Sequence, residues 1–200
     1  MKKIALLGCL LTLLALCLDV GVMAQLARIP FSRSEPDSNS QKIDVKVIKV
    51  FSLSDDHANF RAYIVDWKGQ EVVATDVSAR TKYKEGDIIT VFLRRRQFAD
   101  NYQTIEFNLT NAYPHIVSGD TEGFDAKIRK VFWVHQDHDN FRAYIVEWEK
   151  QEVPVVDDAA NTRYQIGEIP TVYVNRREMS KDEQVLEFTF HQWHEPYHRP

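Results

Sequence analysis

Cysteine is almost absent from this chain, which has two in 200 residues. Both of them, Cys9 and Cys17, lie within the first 24 residues, where the sequence predicts a cleaved segment. The rest of the chain then has no thiol, which excludes a disulfide framework and a cysteine nucleophile. Stability must therefore come from packing alone.

Glycine is also scarce, at seven residues, and none of them form a loop that could cradle a phosphate group. The sequence contains no Ser-His-Asp arrangement with a recognisable nucleophile turn. These absences predict a protein that is not an enzyme and that needs no organic cofactor.

Basic residues are not in excess. The formal net charge is −4, and removal of Lys2, Lys3 and Asp19 with the first 24 residues leaves −5. Because nucleic-acid binding needs a basic footprint, the sequence predicts no nucleic-acid partner.

The N-terminus has the pattern of a bacterial-type signal peptide at residues 1–24. Lys2 and Lys3 precede an apolar run from Ile4 to Leu18, and small residues up to Ala24 predict cleavage before Gln25. The run is short for a permanent bilayer span, so we expect no membrane span after cleavage and a periplasmic or secreted protein. A lipoprotein is the alternative, but the apolar run before Cys9 is too brief and Cys17 follows a leucine.

The dominant positive feature is an internal repeat. Residues 44–109 and 125–190 align at a constant offset of 81 without insertion or deletion, and 31 of the 66 aligned positions are identical. A repeat of this length is a whole domain rather than a solenoid unit. The predicted organisation is a flexible leader (25–41), repeat 1 (42–110), a linker (111–122), repeat 2 (123–191) and a C-terminal tail (192–200).

Each repeat is predicted to contain five strands and no long helix. Alternating apolar residues, a Lys68-Gly69 turn and β-branched runs define them in repeat 1 as 43–53, 59–67, 70–76, 88–96 and 103–109. The turn chemistry is poorer in repeat 2, where Glu149-Lys150 stands at the Lys68-Gly69 position, and Pro170 predicts an edge or a bulge. The expected fold is all-β, with two tandem five-stranded barrel-like domains.

A short motif supports the barrel. Tyr83-Lys84-Glu85-Gly86-Asp87 recurs as Tyr164-Gln165-Ile166-Gly167-Glu168 before the fourth strand. This order of elements resembles an OB-fold or an SH3-like barrel, and the resemblance implies architecture only, because such barrels serve many functions.

Histidine and carboxylate groups predict one candidate site. A metal would be bound by His57, His135, His138, His191 and His194, near the repeated Asp-His pair and in the tail. The alternative is that the Asp-His pairs form ordinary turns and that the tail is a frayed end.

Arginine and tyrosine residues on the second and fourth strands predict a second candidate site, for a ligand. The candidate ligand-binding residues are Arg61, Tyr63, Arg95, Arg142, Tyr144 and Arg176. They would form one surface for an anionic polymer or a sugar. The alternative is cross-strand pairing of the arginines with Glu71, Glu106, Glu152 and Glu187.

Together these features predict an exported, non-enzymatic binding or interaction protein. Its expected partner is an envelope or extracellular protein, or an anionic or glycan ligand. The alternatives are a metal-binding envelope protein and a structural spacer.

Overall fold

The computed structural model describes residues 40–55, 58–110, 119–180 and 183–191. Within those ranges the chain forms eleven β-strands and no helix, which confirms the predicted all-β class. The strands are β1 (Gln41–Asp55), β2 (Ala58–Trp67), β3 (Gln70–Thr75), β4 (Ile88–Ala99), β5 (Tyr102–Asn108), β6 (Gly119–Asp125), β7 (Ile128–Gln136), β8 (Asp139–Trp148), β9 (Gln151–Val156), β10 (Thr171–Ser180) and β11 (Glu183–Thr189). The predicted signal peptide and tail lie outside the described residues, as do most of the leader and of the linker. No helix of the described ranges is long and apolar enough to span a bilayer.

The first five strands close into a five-stranded barrel, as predicted. β1 pairs antiparallel with both β2 and β4, β2 pairs with β3, and β4 pairs with β5. The barrel closes where β3 meets β5 in parallel, with Thr75 opposite Asn108 and the Leu109 amide donating to the Thr75 carbonyl at 3.0 Å. One long strand can serve two neighbours because β1 changes direction at a bulge between Val47 and Lys49.

The Tyr-x-x-Gly motif is hydrogen-bonded to this bulge. The Gly86 amide donates to the Val47 carbonyl at 2.8 Å, and the Val47 amide donates to the Asp87 carbonyl at 2.9 Å. Gly86 has a φ of 92°, a conformation that favours glycine. Gly167 at φ 96° makes the equivalent bond to Ile128 at 2.9 Å. The motif is therefore a clamp on the first strand.

The other six strands extend the same sheet. β6, β10 and β11 are hydrogen-bonded in that order, and β8 lies between β7 and β9. The repeat predicts one strand over 124–134, and the structure divides this stretch between the end of β6 and β7, because Ala126 and Lys127 interrupt the ladder. β6 begins at Gly119, inside the predicted linker, because residues 119–125 pair with β10.

Three two-residue turns are built from residues with positive φ. Lys68 and Gly69 have φ of 54° and 78°, as the sequence predicts for a hairpin. Glu149 and Lys150 adopt the same conformation, at 48° and 65°, without a glycine, so packing of the flanking strands overrides their poorer turn chemistry. Asp137 and His138, at 53° and 92°, form the turn between β7 and β8.

The two repeats meet through two short parallel ladders. β5 pairs with β8, with Gln103 opposite Asp139, and β11 pairs with β2, with Gln184 opposite Ala58. Gln184 is the counterpart of Gln103, and Asp139 is the counterpart of Ala58, at the offset of 81. Most of the buried apolar residues of both repeats belong to one continuous cluster, which includes Trp67, Phe107, Phe141 and Phe188.

Candidate functional site

A shallow groove of about 590 Å³ lies where the start of β3 approaches β7. Gln70 and Glu71 line one side, and Lys130 to Trp133 with His135 line the other. We call this the Trp133 groove. It is widely open to solvent.

Trp133 is the main exposed apolar surface of the groove. Its neighbours Phe132 and Val134 point into the core, so strand alternation directs Trp133 outward, where 62% of the residue is exposed. Arg142 lies opposite it on β8 and places its guanidinium carbon 4.9 Å from the ring centroid. Because Arg142 is itself buried, this cation–π contact fixes the orientation of the indole.

His135 continues the surface. Its ring lies 6.1 Å from that of Trp133, and the two planes differ by 28°. The side-chain amide of Asn140 donates to the carbonyls of His138 and Gln103, at 2.8 and 3.1 Å, which leaves its oxygen 2.6 Å from Nδ1 of His135. Neutral His135 therefore carries its proton on Nδ1 and presents Nε2 as an acceptor.

The charged groups of the groove are paired across the repeats. Lys130 bonds to Glu71, and the counterpart pair, Lys49 and Glu152, has a separation of 3.1 Å. The equivalent surface of repeat 1 contains Lys49, Phe51, Ser52, Ser54, Gln151 and Glu152, and we call it the Ser52 surface. Its frame matches the Trp133 groove, but serines replace Trp133 and His135.

The four candidate arginines all have partners within the chain. Arg61 donates to Ser52 at 3.0 Å, and Arg142 packs on Trp133. Arg95 donates through two nitrogens to Asp139, at 3.1 Å each, whereas its counterpart Arg176 donates to Glu122 at 3.3 Å. The expected cross-strand pairing of arginines with glutamates occurs at two of the four glutamates: Glu106 pairs with Arg96 and Glu187 with Arg177, whereas Glu71 and Glu152 pair with lysines.

Tyr63 and Tyr144 do not share a surface with these arginines. Both rings are completely buried, and each hydroxyl lies 2.7 Å from a threonine hydroxyl, Thr81 or Thr162. The expectation of an exposed aromatic stripe is therefore wrong at these positions. Its physical reason is that β2 and β8 are covered on both faces, by the core on one side and by the loop after the next strand on the other.

The loops that cover the tyrosines are each organised by one aspartate. Asp76 accepts four hydrogen bonds, from the amides and hydroxyls of Ser78 and Thr81, at 2.7 to 3.0 Å. Burial alone would raise the pKa of Asp76, but these bonds outweigh it and hold the pKa below its usual value. Asp157 accepts two such bonds, both from Thr162 at 2.7 Å.

An acidic cluster lies beside the second of these loops. Burial raises the pKa of Asp158 to about 7, and the negative charges of Glu106 and Glu187 act in the same direction, against Arg96. Burial also raises the pKa of Glu187, against the nearby Arg177. These acids approach each other from both repeats.

The candidate metal ligands are not brought together where the structure describes them. His135 bonds to Asn140, His138 is exposed in the turn, and Nε2 of His191 lies 4.0 Å from Asp157. Residues 40–55, 58–110, 119–180 and 183–191 hold no group of three or more His, Asp or Glu arranged for a metal. His57 and His194 lie outside the described residues.

Comparison with known proteins gives little further information. No protein-family model matches the chain, and the search of curated proteins gave no significant match. Among solved structures, the chain is similar to one concerning structural mimicry for functional antagonism (13% identity, 74% of this chain, 88% of that chain, TM-score 0.24). It is also similar to a murine DNA-binding protein bound with double-stranded DNA (10%, 74%, 93%, 0.24) and to one concerning abrogation of activation of pro-inflammatory cytokines (13%, 76%, 95%, 0.25). Similarity at these scores carries no argument about function.

Sequence reasoning missed Trp133 as a site residue, although the sequence contained a signal for it. Trp133 stands on the outward phase of a strand whose inward residues are Phe132 and Val134. The other repeat has Ser52 at that position, so no requirement of the shared fold explains an aromatic residue there.

Proposed function

We propose that this chain is an exported, non-enzymatic binding protein made of two duplicated small barrel-like domains, and that it binds its ligand in the Trp133 groove. The observation that carries the proposal is the oriented, largely exposed indole of Trp133 at the junction of the repeats. Exposed aromatic residues backed by a rigid strand are typical anchors of binding surfaces.

Two findings support the duplicated-domain part of the proposal, and a third concerns the type of barrel. The repeats have matching registers in their first hairpins, with Val47 opposite Val65 and Ile128 opposite Val146. They exchange two parallel ladders and two lysine–glutamate pairs at counterpart positions. The first barrel closes in the order β1-β2-β3-β5-β4, with β3 and β5 parallel, which favours the OB-like alternative over the SH3-like one.

Reciprocal contacts of this kind define an isologous interface, in which the same surface serves on both partners. Two domains docked in this way form two equivalent surfaces at the junction. One of these surfaces has Trp133 and His135 and forms the specialised site, whereas the other has Ser52 and Ser54.

The test is affinity capture from the native exported fraction with the chain from Gln25 onward, carrying a removable tag, and mass spectrometry of what is retained. Trp133→Ser gives the groove the residue that the Ser52 surface has at this position and should abolish capture of the specific ligand. Ser52→Trp is the matched control, since it adds an exposed indole on the equivalent strand, and it should leave capture intact.

Two results would contradict the proposal. Equal capture by wild type and Trp133→Ser would remove the groove from the function. If the wild-type protein captures nothing from an ample quantity of the exported fraction, the result favours the structural-spacer alternative.

A further inference from the structure

We infer that the Trp133 groove takes an uncharged saccharide, with one sugar ring stacked on the indole of Trp133. This inference rests on the proposed binding function and specifies its ligand class. It follows from three features of the groove: a fixed aromatic face, hydrogen-bonding groups around that face, and the absence of net charge.

The aromatic face is prepared before any ligand arrives. Arg142 contacts the indole at 4.9 Å, and the paired strands β7 and β8 hold both residues in register. A sugar ring has an apolar face of weakly positive C–H groups, which is complementary to the negative π-face of an indole. Because the ring is already oriented, little side-chain entropy is lost when a sugar stacks on it.

Hydroxyl groups of such a ligand would meet donors and acceptors at the rim. Nε2 of His135 is the acceptor that its bond to Asn140 leaves available. Gln70 supplies an exposed side-chain amide, which both donates and accepts, and the Glu71 carboxylate adds acceptors. A hydroxyl is both donor and acceptor, so this mixture suits a polyol better than a group of one polarity.

Charge argues against an anionic ligand. Glu71 and Lys130, the charged residues lining the groove, form an ion pair, so their charges cancel. Arg142, the nearest further cation, is buried against the indole. A phosphate, sulfate or uronate would find no exposed, unpaired lysine or arginine there, because Lys130 is paired with Glu71 and Arg142 is buried against the indole.

The Ser52 surface has the same amide, carboxylate and lysine but no aromatic face. Gln151, Glu152 and Lys49 stand at the positions of Gln70, Glu71 and Lys130. Because stacking is the contact that it lacks, we expect it not to bind a saccharide. An extended peptide added to β7, which pairs with β8 alone among the described strands, is the competing occupant of the Trp133 groove.

The experiment is a titration of the tryptophan indole N–H signals of the ¹⁵N-labelled chain from Gln25, with calorimetry in parallel. The probes are cellohexaose, maltohexaose, mannohexaose and the hexamer of N-acetylglucosamine, with a galacturonate hexamer as the anionic comparison. The Trp133 signal is identified by its loss in Trp133→Ser. Ser52→Trp is the matched control, and Gln70→Ala tests the rim.

We expect at least one uncharged hexamer to shift the Trp133 signal, with a dissociation constant that changes little between about 0.1 and 0.5 M salt. Trp133→Ser should weaken that binding by about tenfold or more, Gln70→Ala by less, and Ser52→Trp should leave the dissociation constant read from the Trp133 signal unchanged, because any binding to the new indole is read from its own signal. Folding of each variant is checked by the dispersion of its remaining amide signals.

No shift of Trp133 with any uncharged hexamer overturns the inference, and so does binding of the galacturonate hexamer alone. If the affinity capture nevertheless returns a Trp133-dependent peptide or protein, the saccharide inference fails while the proposed binding function stands. If neither titration nor capture depends on Trp133, both fail.

Discussion

The two parallel ladders that join the repeats have the same backbone and different side chains. In the β5–β8 ladder, Asp139 accepts from Arg95 and, at 2.5 Å, from Gln103. In the β11–β2 ladder the counterpart of Asp139 is Ala58, and Arg176 turns instead to the exposed Glu122. Backbone pairing alone is therefore enough to define the register, and the charged network is an addition at one junction.

The same contrast separates the other paired regions. The Trp133 groove and the Ser52 surface share a frame and differ in their aromatic face. The loops after β3 and β9 share an aspartate and a threonine, but Asp76 accepts four hydrogen bonds where Asp157 accepts two. Matched substitutions at counterpart positions can therefore separate what the fold requires from what one repeat has added.

The loop aspartates should show the largest difference in stability. Asp76→Ala leaves four donors without an acceptor and should lower the free energy of unfolding by about 3–4 kcal/mol, against about 2 kcal/mol for Asp157→Ala. Because the folded pKa of Asp76 lies below its unfolded value of 3.8, its contribution is complete above that pH and is lost as the pH falls through the folded pKa. Urea unfolding of both variants measures the difference, and equal losses would refute it.

The two parallel ladders should show the next largest difference in their contribution to the free energy of unfolding. Asp139→Ala gives the first ladder the alanine that the second has at this position and should lower the free energy of unfolding by about 2 kcal/mol, since Arg95 is partly exposed and can recover solvation. Glu122→Ala removes the exposed partner of Arg176 and should change it by less than about 0.5 kcal/mol. The same unfolding assay compares them, and a loss at Glu122 as large as that at Asp139 would contradict this ranking.

Asp158 should make stability depend on pH. Val77 stands at the counterpart position in the other loop, whereas Asp158 keeps its proton in the folded state up to a pKa of about 7. The unfolded chain loses that proton near 3.8, so ionisation destabilises the fold increasingly between pH 4 and 7. Asp158→Asn should remove this penalty and gain about 1–2 kcal/mol at pH 8, allowing for partial exposure, and less at pH 5.

A control with the opposite sign is available. A hydrogen bond from Arg129 lowers the pKa of Glu147, so Glu147→Gln should lose stability at neutral pH rather than gain it. A gain for Asp158→Asn that is the same at pH 5 and pH 8 would contradict the assignment of the penalty to ionisation.

The hairpin turns should give the smallest effect. Lys150 has a φ of 65° where repeat 1 has Gly69, so Lys150→Gly should raise the free energy of unfolding by about 0.5–1 kcal/mol. Gly69→Lys should lower it by a similar amount, and its added Cβ meets no neighbour within 4 Å, so the loss would be backbone strain. Thermal unfolding of the pair measures both, and opposite signs are the required result.

Much of the fold could be predicted because the same pattern of apolar and turn residues occurs in both repeats. Alternation and turn residues located β2 to β5 within a few residues, whereas the hydrogen bonds from Gly86 and Gly167 to the first strand of each repeat were not predicted. The break between β6 and β7 could not be predicted, because no residue there is a strong breaker. The Glu149-Lys150 turn was underestimated, because its conformation is imposed by the pairing of β8 with β9.

The candidate site was less accessible to sequence reasoning. Period-2 alternation assigns Tyr63 to a surface only if one face of β2 is solvated, and contacts distant in sequence cover both faces. The Trp133 groove needs Gln70 and Glu71 from the other repeat, which no local pattern brings to β7. Long-range docking of the repeats therefore decides which outward residues form a site.

The two parallel ladders require that the repeats dock reciprocally, and disulfide trapping tests this arrangement. The chain from Gln25 has no cysteine, so the pairs Gln103→Cys with Asp139→Cys, and Gln184→Cys with Ala58→Cys, can be introduced without competing thiols. Both pairs are directly opposed across strands, within disulfide reach. We expect both disulfides to form within one chain under mild oxidation. The pair Gln103→Cys with Phe141→Cys, which is shifted in register, should form no disulfide. Formation of one bridge without the other, or of intermolecular bridges only, would contradict it.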